Sequence, residues 1–251
     1  MNVSTGPMDD PAAWRLRLRL LYRAYRYRWR DDAAEIACVR RWTRPGTVAL
    51  DVGAHKGSYT YWLARRVGPQ GRVYAFEPQQ ALARNLRRSF DPARVIVEHA
   101  AVSDREGTMT LHVPADGRPS PSASLEMSAA SPGCAVDVRV IMLDRYLPTG
   151  PAPVAFLMCD VEGHEFHVFR GAEQLLRRDR PVLLFECEQR HHRDHSIAEV
   201  FAYLQQLGYQ GSFFGPGRLR PLGDFRVDTH QRSVKDAGYC NNFLFTAAAG
   251  A

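Results

Sequence analysis

VALDVGAHKGSYTYWLA, Val48–Ala64, followed at Gly71–Pro78 by GRVYAFEP, is the stretch that decides the fold. An apolar run, Val48 to Leu50, ends in Asp51. The next loop carries Gly53 and Gly57, and a helical pattern opens at Ser58, with Tyr59, Trp62, Leu63 and Val67 at the helical period. A second apolar run, Val73 to Phe76, ends in Glu77. Strand, glycine loop, helix and a strand tipped by an acid is the layout of a nucleotide-binding βαβ unit. Gly53 and Gly57 let the backbone approach a ligand closely, and Glu77 is placed to accept hydrogen bonds from a ribose diol.

The loop reads D-x-G-x-x-x-G. It lacks the third glycine with which a dinucleotide fold cradles pyrophosphate, and no G-K-[ST] P-loop occurs. A nucleoside with little or no phosphate remains, and S-adenosylmethionine fits.

Working outward, Asp31 to Trp42 reads as a helix with acids at its start and arginines near its end. Beyond Glu77 come a helix from about Gln80 to Phe90 and a strand at Val95 to His99. Two alternating runs, Thr108 to Val113 and Val136 to Leu143, read as an inserted β-hairpin around a loop or lid, Pro114 to Gly133. A strand from Ala155 to Cys159 ends in Asp160, a helix spans His164 to Arg177, and a strand from Val182 to Phe185 ends in Glu186. A helix (Ile197 to Leu207), a strand near Tyr209 to Phe214, a Gly/Pro-rich loop and a last strand at Asn242 to Phe245 follow. This alternation predicts one doubly wound, mostly parallel α/β sheet. Asp51, Glu77, Asp160 and Glu186 each follow a short apolar strand, so they should converge on one crevice and need a ligand, a cation or an arginine as partner.

Composition bounds the rest. The 251 residues suit one domain, and no apolar run reaches membrane-span length. Five scattered cysteines, none in C-x-x-C, support neither a disulfide framework nor structural zinc, and a reducing cytoplasm is expected. Cys187 with His191, His192 and His195 matches no structural zinc spacing. The net charge is +6, and seven arginines against two aspartates put +5 of it in the first thirty residues. The chain thus divides into a basic N-terminal segment, 1–30, and a near-neutral domain, 31–251. On a helix Leu16, Leu20, Arg23 and Tyr27 share a face. The segment reads either as a helix docked on the body or as a peripheral surface, through residues 15–30, for anionic membrane or glycolipid. One arginine-rich segment without a reader motif does not make a nucleic-acid binder.

The chain resembles the FkbM family of S-adenosylmethionine-dependent methyltransferases. The resemblance is carried, from about Glu35 to Phe245, by Asp51-Val52-Gly53-Ala54 with Gly57 and Thr60, Ala75-Phe76-Glu77-Pro78, Ala101-Val102, Leu143-Asp144, Asp160-Val161-Glu162-Gly163 with Glu165, and Phe185-Glu186. It implies a class I methyltransferase sheet, Rossmann-like with an antiparallel last strand. It also implies methyl transfer from S-adenosylmethionine, usually to a hydroxyl of a sugar, glycoconjugate or polyketide-type metabolite. The cofactor contacts expected are Asp51, Gly53, His55, Gly57, Thr60, Glu77, Pro78, Ala101 and Asp160. His55-Lys56 departs from the family, which more often has Asn and an apolar residue there.

An aliphatic hydroxyl needs its proton removed, by a base or with a metal ion. Glu162, His164 or a histidine of 191–195 is one base set, with Asp160 in the catalytic group. Alternatively Asp160 and Glu186 hold a cation, and oxygen ligands suit Mg²⁺ or Ca²⁺. Two other readings stand against O-methylation: an RNA methyltransferase, favoured by the basic segment, and a cofactor-binding scaffold without turnover.

Overall fold

The computed structural model describes residues 11–114, 123–125, 133–147, 150, 152–192 and 195–248. From the N-terminus, α1 (Pro11–Arg26) and α2 (Ala33–Trp42), joined by a π-helical turn at Tyr27–Asp31, lead into β1 (Val48–Val52). The decisive unit then forms as expected, with α3 (Ser58–Val67) and β2 (Arg72–Phe76), followed by α4 (Gln80–Ser89) and β3 (Val95–Glu98). Next come β4 (Ala101–Val102), the hairpin β5 (Gly107–Pro114) and β6 (Gly133–Ile141), the one-turn α5 (Leu143–Tyr146) and β7 (Val154–Cys159). The chain continues through α6 (Glu165–Arg170), α7 (Glu173–Asp179), β8 (Val182–Glu186), α8 (Ile197–Gln206), β9 (Tyr209–Gly215) and β10 (Arg218–Pro221). It ends with α9 (Val227–His230) and β11 (Asn242–Ala247).

Eight strands form the main sheet in the order β10-β9-β11-β8-β7-β1-β2-β3. The pairs from β3 to β8 are parallel, and β11 runs antiparallel to both β8 and β9. The order reverses between β1 and β7, and ligands of open α/β sheets bind at such a switch point. Strands buried on both faces explain the unbroken apolar runs of the sequence. Leu50, Val52, Phe76, Leu157 and Phe185 pack on one side of the sheet, and Ala49, Val73, Phe156 and Leu184 on the other.

Two expectations are corrected. The helix drawn from His164 to Arg177 is two helices. A Cβ at Gly171 would lie 2.0 Å from the Ser103 carbonyl oxygen, so the chain presses against its neighbour there. The Gly171 carbonyl accepts from the Asp144 N–H (3.0 Å), while the Asp144 carboxylate accepts from Gln174 and Leu175 N–H (2.9 Å each) and starts α7 afresh. The inserted hairpin forms as expected, β5 pairing antiparallel with β6, and β4 joins it in a separate three-stranded sheet, β4-β6-β5. The Gly/Pro-rich loop after β9 contains the edge strand β10. The expected lid, Pro114 to Gly133, lies outside the described residues except at its ends and at residues 123–125.

The basic segment is not set apart from the body. Ala13, Leu20 and Ala24 of α1 are buried, Trp62 Nε1–H donates to the Ala24 carbonyl (2.9 Å), and Arg23 reaches the Lys56 carbonyl (3.1 Å). The face through Leu16, Leu20, Arg23 and Tyr27 is the inward one: Leu20 is buried and the other three are partly buried. No helix among the described residues is long and apolar enough to cross a membrane.

Candidate functional site

The carboxyl ends of β1, β2, β7 and β8 meet above the switch point. Asp51, near the end of β1, is buried and accepts a hydrogen bond from Thr60 Oγ1 of α3. Burial pushes its carboxyl up to about 6, against the pull of Thr60. Gly53 follows at φ +83°, where a Cβ would stand 1.8 Å from the Asp160 carbonyl oxygen. Only glycine lets this loop cross the end of β7 so closely. The Gly53 and Ala54 N–H groups both donate to the Phe76 carbonyl (3.0 Å each), pinning the loop to β2.

His55 adopts φ +47°, and its N–H donates to Glu77 Oε2 at 2.7 Å, while the Gln79 N–H donates to Glu77 Oε1 at 2.7 Å. Each oxygen of the clamped carboxylate keeps acceptor capacity for a ligand hydroxyl. Burial raises Glu77 to about 7, against these two hydrogen bonds. Glu77 lines a narrow cavity whose apolar walls include Phe76, Ala101, Leu111 and Leu125. Pro78, Glu162 and His164 also line it.

A second cavity, about 330 Å³, holds Asp51, Asp160 and Glu186 at the strand ends and Arg23, Tyr27 and Asp32 from the N-terminal helices. Gly53, His55 and Asp160 line both cavities. Asp160 is held well above the usual carboxylate range by burial and then by Glu162, and Glu186 is pushed to about 10 by burial and then by Asp160. Asn241 Nδ2–H donates to Glu186 at 2.7 Å. Buried His55 Nε2 and Arg23 Nε, from residues lining the second cavity, have no hydrogen-bond partner among the described residues. Burial, and then Lys56, lowers the His55 imidazole to about 4.

The four strand-end acids therefore divide between two joined cavities, with Glu77 in the first, Asp51 and Glu186 in the second and Asp160 on the wall of both. Gly57 and Thr60 line neither: Gly57, at φ +81°, lets Leu20, Leu86 and Phe90 pack against the start of α3, and Thr60 braces Asp51. Glu162, at φ +53°, pairs with His191 Nδ1 (3.0 Å), which raises the His191 imidazole, and its carbonyl accepts from Ser124 Oγ (2.7 Å). His164 Nε2 lies 2.9 Å from Ser103 Oγ, its ring stacked on His167. His192 Nε2 lies 3.1 Å from Cys187 Sγ and 3.2 Å from Glu165 Oε2, a buried trio tying α6 to the segment after β8. Sequence reasoning missed Tyr27, Asp32 and Tyr59, whose hydroxyl donates to Asp32 (2.9 Å). Nothing local in the sequence says that helices preceding β1 fold back over the strand ends.

A doubly wound sheet with an antiparallel last strand, a glycine loop crossing the switch point and a clamped acid at the tip of β2 defines the class I, Rossmann-like methyltransferase fold. The chain belongs to the FkbM methyltransferase family: the Methyltransferase FkbM domain matches residues 51–210, more than half of its length. No curated protein sequence matches. Among solved structures it is similar to a methyltransferase FkbM from Methylobacillus flagellatus (17% identity, 94% of this chain and 58% of that one, TM-score 0.49). It is also similar to an O-methyltransferase from Bacillus cereus in complex with S-adenosylhomocysteine (14% identity, 94% and 90%, TM-score 0.48). A third is the O-methyltransferase TomG of Streptomyces achromogenes, in complex with S-adenosylmethionine (16% identity, 95% and 90%, TM-score 0.48). The chain thus spans 58% of the length of the Methylobacillus protein.

Proposed function

We propose that the protein methylates a hydroxyl oxygen of a small-molecule or glycan acceptor, with S-adenosylmethionine in the first cavity and the acceptor in the second. The observation that carries this reading is the shared wall. Gly53, His55 and Asp160 border both cavities, so a ligand whose ribose is held by Glu77 ends where the carboxylate-lined space begins. When bound, the cofactor supplies a methyl group already activated on a sulfonium. The chain's own part is to hold the ribose at Glu77, favour positive charge near Asp51 and Asp160, and align the acceptor oxygen.

The acceptor's proton needs a base. Glu162 is engaged with His191, and His164 is directed to Ser103 on the nucleoside side. Glu186 and Asp160 line the acceptor cavity itself; either acts as base from its ionised form, which burial disfavours and a cationic ligand beside it restores. We therefore assign the base to Glu186, with Asp160 supporting it, and reach the product without a metal ion. The same two carboxylates also favour a second reading. All-oxygen donors fit Mg²⁺ or Ca²⁺, and a divalent ion there would acidify the hydroxyl.

Transfer of labelled methyl from S-adenosylmethionine into a panel of sugars, glycolipids and polyketide-type alcohols tests the assignment. The expected result is transfer that persists in EDTA, collapses by at least about a hundredfold in Glu186→Gln with cofactor affinity kept, and survives in Glu162→Gln. EDTA-sensitive turnover restored by Mg²⁺ would favour the metal route, and transfer confined to RNA would contradict the acceptor class.

A further inference from the structure

Most of the outward face of α1 and of the π-helical turn after it has no partner among the described residues. Trp14, Leu18, Leu21, Tyr22, Tyr25 and Trp29 are exposed there, at spacings that keep them on one stripe of the helical segment. Trp14 is 54% and Trp29 67% exposed, so the two largest apolar side chains stand in water at the ends of the stripe. A shallow groove between Leu18, Leu21, Tyr22 and Tyr25 is bounded by Arg26, Trp29 and Arg30. Soluble domains rarely leave such a contiguous apolar surface without a use. Ala13, Leu20 and Ala24, on the opposite face, already seat the helix on the body. Apart from Tyr25, whose ring packs edge-on against Trp62 (5.3 Å), the stripe is therefore not needed to hold α1 in place.

Charge narrows the occupant. Seven arginines and no acid occur between Pro11 and Arg30, and Arg15, Arg19, Arg26 and Arg30 are exposed. Arg28 lies over the Trp29 ring (4.6 Å), holding that indole against the helix. A second copy would set these arginines against their equals with no acid to pair them. A nucleic acid would meet the charges and leave the leucines in water. A surface both anionic and apolar beneath its charged layer satisfies the two together.

We infer that α1 is a membrane-contact helix that lies flat on an anionic lipid bilayer. Its tryptophans, tyrosines and leucines enter the headgroup–acyl boundary, and its arginines meet lipid phosphates. The inference stands independently of the reaction assigned above. Arg26 borders both this groove and the acceptor cavity, so the contact surface lies next to the mouth of that cavity.

The test is co-sedimentation of the full chain with vesicles of phosphatidylcholine alone, or with roughly one-third phosphatidylglycerol, together with tryptophan emission. The expected result is about tenfold or greater preference for the anionic vesicles, weakened in about 0.5 M salt, with a blue-shifted emission. Trp14→Ala/Trp29→Ala should lose about tenfold of this binding while keeping the wild-type melting temperature and cofactor affinity, and Arg15→Gln/Arg19→Gln should lose binding most clearly at low salt. Failure of the wild type to bind anionic vesicles, or equal binding by the tryptophan variant, overturns the inference. So does a lipid-free dimer that the tryptophan variant dissociates, which would assign the stripe to a second copy. Binding confined to an RNA oligonucleotide would also overturn it.

Discussion

His55 departs from its family's usual residue, yet what the site takes from it is a backbone geometry. Its N–H reaches Glu77 from φ +47°, a region in which Asn and His are both enriched among non-glycine residues. The side chain adds a buried, unpartnered Nε2 beside the second cavity. His55→Asn should therefore keep S-adenosylhomocysteine affinity within about threefold, because the donated N–H persists. Gly53→Ala should behave oppositely. A methyl group there meets the Asp160 carbonyl oxygen, so binding should be lost and stability reduced by at least about 1–2 kcal/mol. Calorimetric titration and thermal melts of the two variants separate these outcomes. At this scale the sequence was informative where chemistry and conformation coincide. Asp51, Gly53 and Glu77 stand where the spacing placed them, whereas Glu162 and His164 line the first cavity, because the positive φ of Glu162 and Gly163 turns the chain just after β7.

Elements were legible when one period dominated. Every strand of the parallel core reads as a short apolar run, since burial on both faces removes the alternation that would confuse it with an edge. Breaks imposed from a distance were not legible. The division between α6 and α7 depends on Asp144, some thirty residues earlier in sequence, and on the Ser103 backbone pressing on Gly171. The two residues of β4 have no periodicity to read, and their strand exists only because β6 lies alongside. The basic helix was harder still. Its Leu20 and Ala24 face the body while its tryptophans face outward, so both faces are apolar and no single stripe marks it as amphipathic. Its return over the strand ends brings Arg23, Tyr27 and Asp32 to the second cavity, and that long-range packing carries no local signal.

For the molecule as a whole, gathering acids at strand ends ties stability to pH. Asp51, Glu77 and Glu186 all have carboxyls raised by burial, to about 6, 7 and 10. A group raised on folding stabilises the native state below its unfolded pKa, and that contribution is lost as pH rises through the folded value. The ligand-free protein should thus melt lower at pH 8 than at pH 5.5. His55, lowered to about 4, works in the opposite sense but is one group against three. Melting curves across this range check the sign, and a flat or rising melting temperature would contradict it. The central claim, that Glu77 holds the ribose of an S-adenosyl cofactor, is tested most directly by calorimetric titration of S-adenosylhomocysteine into wild type and Glu77→Gln at pH 8. The account predicts binding by the wild type and a loss on the order of 2–4 kcal/mol in a variant that stays folded. Equal affinity in the two proteins would contradict it.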